Sequence, residues 1–376
     1  MIFSLKYVII RLKGGTLDFK RGEPMRQFDY KKLSEKKWDN DILLMCSKVH
    51  ECKGRQELFV RQKPVQLDRL IEIARIQSTE ASNRIEGIVT TDTRIKQLVA
   101  EKTAPRNRDE REIVGYRNVL NTIHESHEYI NLIPNHILQL HRDLLRPAQI
   151  GHAGSFKNVQ NYIKETRTDG TEFIRFTPLS PSETPEAVER ACRSFSETLA
   201  FEIVDPLILI PAFITDFLCI HPFNDGNGRM SRLLTLLLLY KSGYEVGKYA
   251  SLEKQIENTK DVYYNVLRDI DVGWHEEQND PTPFIRYTLE LLLACYTEFE
   301  DRVGMMETSG VKSSAYDIVR LYIDEKIGKF TSSDVLINCP SISRASVFNA
   351  LKKMTENGYI DKYGAGKQAY YVKHLK

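Results

Sequence analysis

Twelve consecutive residues, HPFNDGNGRMSR (221–232), place a histidine, an aspartate, two asparagines, two arginines and two glycines between two apolar runs. The run before them is DPLILIPAFITDFLCI (205–220), and the run after them is LLTLLLLY (233–240). His221 offers an imidazole that can accept a proton near neutral pH. Asp225 is a hard oxygen donor of the type that holds Mg²⁺ against phosphates. Gly226 and Gly228 give access to the free N–H groups at the start of a helix, where anions bind. Arg229 and Arg232 lie three apart, so both forked guanidinium groups reach over the same helix end. Base, metal ligand, anion nest and two arginines describe phosphoryl or nucleotidyl transfer better than hydrolysis by a nucleophilic triad. The sequence has no GxxxxGK[ST] pattern, so the phosphate chemistry is not that of a P-loop.

On their own, DG and NG are hairpin-turn dipeptides. The flanking runs do not alternate as strands would, which makes 221–232 a loop between two buried helices. Apolar spacing of three and four predicts further helices at about 67–86, 112–131, 134–146, 183–201, 206–220, 229–242, 258–271 and 283–303. The first of these ends at Gly87, a residue suited to the position just past a helix. Residues 102–111 read as a polar loop, and residues 26–63 as a helix pair or an extended arm. Residues 151–178 break the helical pattern, with Asp169-Gly170 as the turn between two short strands. The fold class is therefore mainly α: a helical bundle carrying one β-hairpin.

The pattern changes after about residue 304. Residues 311–328 read as a helix, 331–338 as a second short helix opened by Thr331, and 343–358 as a third closed by Gly358. Alternation around a glycine-rich turn follows in 359–373. That order predicts a C-terminal winged helix-turn-helix. Residues 311–376 carry eleven basic and six acidic side chains, a net charge of +5. The organisation expected is an N-terminal helical region (1–111), a core (112–303) and the winged helix (311–376).

With every fixed position matched by His221, Pro222, Phe223, Asp225, Gly226, Asn227, Gly228, Arg229 and Arg232, the loop resembles the Fic family motif HPFx[DE]GNGRxxR. The resemblance implies a Fic-type helical bundle, whose usual reaction transfers AMP from ATP to a protein hydroxyl. It implies that His221 deprotonates a Ser, Thr or Tyr hydroxyl and that Asp225 holds Mg²⁺. Asn227 and the Gly226 and Gly228 amides would form the anion hole, and Arg229 and Arg232 would bind the β- and γ-phosphates. Phe223 would anchor the loop, and the hairpin at 151–178 would be a flap that aligns the target by strand addition. The stretch NTKDVYYNVL resembles the family's adenine-side helix, which adds Asn258 and Tyr263 as nucleotide-binding candidates.

A second stretch, SNRIEG (82–87), puts Ser82 and Glu86 four apart on one helix face. It resembles the Fic inhibitory motif [ST]xxxE[GN] in the class whose inhibitory helix precedes the core. The resemblance implies that Glu86 pairs with Arg232 and obstructs placement of the γ-phosphate. A carboxylate there competes with the ligand for the same donors and repels its charge. The same glutamate in some relatives supports AMP removal, an alternative activity of the same site.

The bulk numbers bound these expectations. A chain of 376 residues can hold two or three domains, and a net charge of +2 marks neither a nucleic-acid-coating protein nor an acidic tail. Six cysteines, none in a CxxC pair, read as buried thiols in a reducing compartment. MIFSLKYVII, interrupted by Lys6, is not expected to be a signal peptide, and no apolar run is long enough to span a bilayer. The expected location is cytoplasmic, with no membrane partner. The expected partners are a target protein, the chain itself as acceptor and a second copy in a homodimer. A competing reading makes 311–376 a DNA-binding regulator and the core a sensor, with 341–353 as recognition helix.

Overall fold

The computed structural model describes residues 26–62, 64–167, 169–307, 315–326, 328–339, 342–366 and 369–374. Sequence readings that fall on 1–25, including MIFSLKYVII, and on Lys312, Ser341, Lys367 and Lys376 lie outside the described residues. A 3₁₀ turn (Tyr30–Ser34) leads to α1 (Asn40–Gln62), α2 (Pro64–Ile85) and α3 (Asp92–Val99). The bundle continues with α4 (Arg108–Ser126) and α5 (Pro134–Leu145). Strands β1 (Ile163–Thr166) and β2 (Glu172–Phe176) pair antiparallel, with Thr166 opposite Glu172 around the Asp169-Gly170 turn. Helices α6 (Thr184–Ala200), α7 (Pro206–Ile220), α8 (Asn227–Lys241), α9 (Leu252–Asn258), α10 (Lys260–Asp269) and α11 (Thr282–Glu307) complete the bundle.

Four differences from the sequence reading have local causes. Within the stretch read as a helix pair or an arm, residues 26–62 form one 3₁₀ turn and one long helix. Helix α3, absent from the periodicity reading, is short and polar, and starts because Thr91 Oγ1 accepts from the Arg94 N–H. Helix α4 begins inside the stretch read as loop, because Asn107 Oδ1 accepts from the Glu110 N–H at 2.8 Å. The helix expected over 258–271 forms as α10 from Lys260, and the break at Thr259 (φ −113°) leaves Asn258 at the end of the separate helix α9.

One buried apolar cluster runs from Phe28 to Val303, so α1 and α2 pack into the same core as the later helices. Helices α7 and α8 are buried on nearly every side, as their unbroken apolar character requires, and they pack against each other. They hold the 221–226 connection rigidly at the end of the bundle. All six cysteines are buried free thiols, and no described helix is long and apolar enough to cross a membrane.

A second cluster, Ile318 to Tyr371, is separate from the first. It joins α12 (Ala315–Glu325), β3 (Lys329–Thr331), α13 (Ser332–Asn338), α14 (Arg344–Glu356), β4 (Ile360–Tyr363) and β5 (Tyr370–Lys373). The three strands form an antiparallel sheet in the order β3-β5-β4. Thr331 and Asp334 cap α13 reciprocally. Arg69 of α2 donates to the Ile342 carbonyl at 2.9 Å, tying this unit to the bundle.

Candidate active site

The loop begins where α7 stops. His221 is the C-cap residue, in a left-handed conformation (φ 50°, ψ 62°), with its N–H on the Phe217 carbonyl. A non-glycine residue holds that geometry at a cost of about 1–2 kcal/mol, so the surroundings must enforce it. The imidazole is buried, and its Nδ1 lies 3.2 Å from the Leu218 carbonyl. A carbonyl can only accept, so Nδ1 carries the proton and Nε2 is left as the basic nitrogen. Burial first, and the neighbouring Lys157 cation second, lower the His221 pKa to about 3, so the ring is neutral at pH 7.

Phe223 anchors the loop. It is fully buried and lies flat against His141, with ring centroids 3.7 Å apart. His141 receives the Gly154 N–H on Nδ1, so its Nε2 proton goes to the Asp225 carbonyl at 3.0 Å. Asn227 spends both ends of its side chain on Phe223: Oδ1 accepts from the Phe223 N–H and Nδ2 donates to the Phe223 carbonyl. These bonds let the Asn227 side chain shape the loop while using only one of its two Nδ2 protons.

Gly226 (φ 86°) caps α8, and the helix starts two residues earlier than its expected start at Arg229. The first N–H groups of α8 have no helical carbonyl to bond and point out of the N-terminus. Gly228 has no side chain to block them, and a methyl there would collide with Glu86 Oε1.

The two arginines are held differently. Arg232 is buried, with Nε on Ser82 Oγ at 2.8 Å, and Nη2 on the Ser82 carbonyl at 3.0 Å and Glu86 Oε1 at 2.8 Å. Burial would lower its pKa, but the Glu86 carboxylate beside it outweighs this and raises it. Arg229 is also buried, and its Nη1 donates to Glu112 Oε2 at 2.8 Å while Nη2 lies 3.5 Å from Asp225 Oδ1. Arg108 holds the other Glu112 oxygen at 2.9 Å. The Arg229 guanidinium, expected at the phosphates, also braces α4 against the loop.

Glu86 sits just past the end of α2, which Gly87 (φ 80°) terminates as its sequence position predicts. That end is pinned by Arg84 to Glu257 at 2.9 Å and by Lys260 Nζ to the Ile85 carbonyl at 3.1 Å. Tyr263 is buried behind Arg232, among Tyr287, Phe284 and Tyr264, and lines a small cavity there. It is a core position; its less buried neighbour Tyr264 is near Glu86, whose charge together with burial raises the Tyr264 phenol. Asn258 ends α9 exposed to solvent, because the break at Thr259 interrupts the helix on which it was expected to face the nucleotide.

Asp225 is a single carboxylate, 38% exposed, and no group of three or more His, Cys, Asp or Glu among the described residues could cage a metal ion. One exposed carboxylate beside an anion nest fits Mg²⁺ carried in by a nucleotide, since that ion keeps waters and phosphates as most of its ligands.

Sequence reasoning missed Glu112, His141, Lys157 and Asn161. The last two bond the loop backbone: Lys157 Nζ to the Ile220 carbonyl at 2.9 Å, and Asn161 Nδ2 to the His221 and Phe223 carbonyls. Nothing in their local spacing marks them out. A buried lysine just before a hairpin reads as an ordinary surface cation.

Residues 129–239 match the Fic/DOC family model. The chain is 27% identical over 207 residues to Protein adenylyltransferase fic-1 of Caenorhabditis elegans, covering 54% of this chain and 35% of that protein. It is 27% identical over 256 residues to Protein adenylyltransferase Fic of Nematostella vectensis, covering 65% and 52% respectively. The chain thus spans about half or less of the length of these curated relatives. In fold it is similar to a Fic family protein from Desulfovibrio desulfuricans G20, with a TM-score of 0.58 at 20% identity over 91% of this chain and 98% of that one. A Fic domain containing signaling protein from Bacteroides thetaiotaomicron gives a TM-score of 0.56 at 23% identity over 67% and 94%.

Proposed function

On a chain whose residues 129–239 match the Fic/DOC family model, we propose a protein adenylyltransferase held in an autoinhibited state by Glu86. The observation that carries the proposal is the position of the Glu86 carboxylate, on Arg232 and over Gly228 at the mouth of the α8 N-terminus. A phosphate needs the same donors, so plug and nucleotide exclude one another.

With Glu86 displaced, the α8 N–H groups and Arg232 take the phosphates of ATP. Asp225 is the residue that would hold Mg²⁺, which when bound neutralises phosphate charge. His221 Nε2 takes the proton of a target hydroxyl as that oxygen bonds to the α-phosphorus. The bond from the α-phosphorus to the β-bridging oxygen breaks, and pyrophosphate leaves. The exposed β1–β2 hairpin is the surface on which an extended target segment would add as a strand. The test is retention of label: phosphorus label at the α-position of ATP stays on protein, whereas label at the γ-position does not. Retention of γ-label would convert the reading to phosphate transfer.

A second reading concerns the carboxy-terminal unit, which we take as a winged helix-turn-helix. Helix α14 exposes Arg344, Asn349, Lys352 and Lys353, a face able to meet duplex DNA. Binding that falls steeply as salt rises supports this reading, and no binding at low salt dismisses it.

A further inference from the structure

Four successive backbone carbonyls, from Ile220 to Phe223, are bonded by one five-residue segment. Lys157 donates its N–H to the Pro222 carbonyl at 2.8 Å and its Nζ to the Ile220 carbonyl at 2.9 Å. Asn161 donates Nδ2 to the His221 carbonyl at 3.2 Å and the Phe223 carbonyl at 3.0 Å. The two side chains are joined by Lys157 Nζ to Asn161 Oδ1 at 3.1 Å. The segment then runs directly into β1 at Ile163.

We propose that Lys157 and Asn161 are the positioning unit for His221, fixing its left-handed backbone and linking the base to the hairpin that would receive the target. The proposal rests on His221 being the base of AMP transfer. Both side chains act on the backbone rather than on reacting atoms, so neither is a catalytic residue. Lys157 is 3% exposed, and its Nζ meets two acceptors, the number that a neutral amine satisfies with its two N–H groups. Burial lowers its pKa to about 7, opposed by Glu183. The charged groups that act on the His221 ring are Lys157, Asp225 and Arg175 of β2, which is itself paired with Asp271. Any positive charge on Lys157 therefore keeps His221 deprotonated, in the form a base requires.

The experiment uses the full chain carrying Glu86→Gly, with Lys157→Met, Lys157→Arg and Asn161→Leu added singly. Lys157→Met and Asn161→Leu are expected to lower kcat about ten- to a hundredfold with KM for ATP little changed, because the base is misplaced while the phosphate site is intact. Lys157→Arg keeps a cation and donors and recovers most of that rate. Removing the cation raises the His221 pKa, so the acid limb of the rate–pH profile moves to higher pH in Lys157→Met. Carbon-13 labelling of histidine Cε1, with His221→Ala identifying the resonance, follows the same titration without any turnover. A profile and kcat in Lys157→Met equal to those of the Glu86→Gly parent, or a loss equal at every pH that Lys157→Arg does not recover, overturns the proposal. If Glu86→Gly transfers no AMP, the reading of the function fails, and the His221 resonance alone decides the clamp: a raised titration in Lys157→Met supports it, an unmoved one overturns it. Where Lys157→Met fails to fold, Asn161→Leu against its Glu86→Gly parent carries the kcat comparison.

Discussion

Two carboxylates from outside the loop each hold one of its arginines, and they do so in opposite ways. Glu112 sits just beyond the first turn of α4, 5% exposed, between Arg229 and Arg108. Glu86 hangs past the end of α2, 17% exposed, and reaches Arg232 beside the Ser82 contacts. The Glu112 pair is enclosed, so taking away the Glu112 charge leaves Arg229 in a dry interior with Asp225, 3.5 Å away, as its remaining carboxylate. The Glu86 pair lies at the N-terminus of α8, where, on the proposed function, a nucleotide phosphate would replace the carboxylate. The first is a brace and the second a plug, although both are an arginine and a glutamate at 2.8 Å. Burial and the availability of a substitute anion, rather than distance, separate structural from regulatory ion pairs.

The brace should show the largest effect on stability. Glu112→Gln leaves Arg229 buried with Asp225, 3.5 Å away, as its remaining carboxylate, and is expected to destabilise the fold by about 3–5 kcal/mol, measured by urea unfolding. A loss under about 1 kcal/mol would make the two pairs alike and break the comparison. It should also fail to raise AMP transfer, which separates it from Glu86 substitutions.

Acid should destabilise the fold through its buried histidines. His221, His124 and His141 are held near pKa values of about 3, 3 and 4 by burial, against about 6.5 in the unfolded chain. Each is depressed on folding, so the unfolded state binds more protons below pH 6.5 and stability falls as pH drops from 6.5 toward 4. The urea midpoint should be lower at pH 5 than at pH 7.5, and His124→Gln should reduce that difference. An unchanged midpoint across this range contradicts the buried neutral histidines.

Ser82→Ala should have the smallest effect. It removes the hydroxyl that accepts from Arg232 Nε and leaves the Ser82 carbonyl and Glu86 in place. The expected cost is about 1–2 kcal/mol, with a modest rise in AMP transfer as the plug loosens. A rise as large as that of Glu86→Gly would shift the inhibitory role from the carboxylate to the helix end as a whole.

What the sequence could disclose follows from contiguity. His221, Asp225, Gly226, Gly228 and Arg232 lie within twelve residues, and Ser82 and Glu86 are one helical turn apart, so their spacing alone brings them together. Glu112 lies 117 positions from Arg229, and Asn161 lies 60 from His221, so only the packing of α4 and the hairpin against α7 and α8 unites them. Asn258 and Tyr263 were read on one helix. The break at Thr259 leaves the first exposed and the second in the core, a change that apolar spacing could not register. Leu67, Leu70 and Ile85 of α2 belong to the same buried cluster as α7 and α8, a packing that local apolar spacing does not disclose.

The central claim is that Glu86 is a removable plug on a working nucleotide site. Incorporation of label from α-labelled ATP into protein, by wild type, Glu86→Gly and His221→Ala within Glu86→Gly, tests it most directly. The account predicts little labelling by wild type, strong labelling by Glu86→Gly, and a loss of about 10²–10⁴-fold when His221 is also removed. Equal labelling by wild type and Glu86→Gly, or labelling that survives the loss of His221, would contradict it.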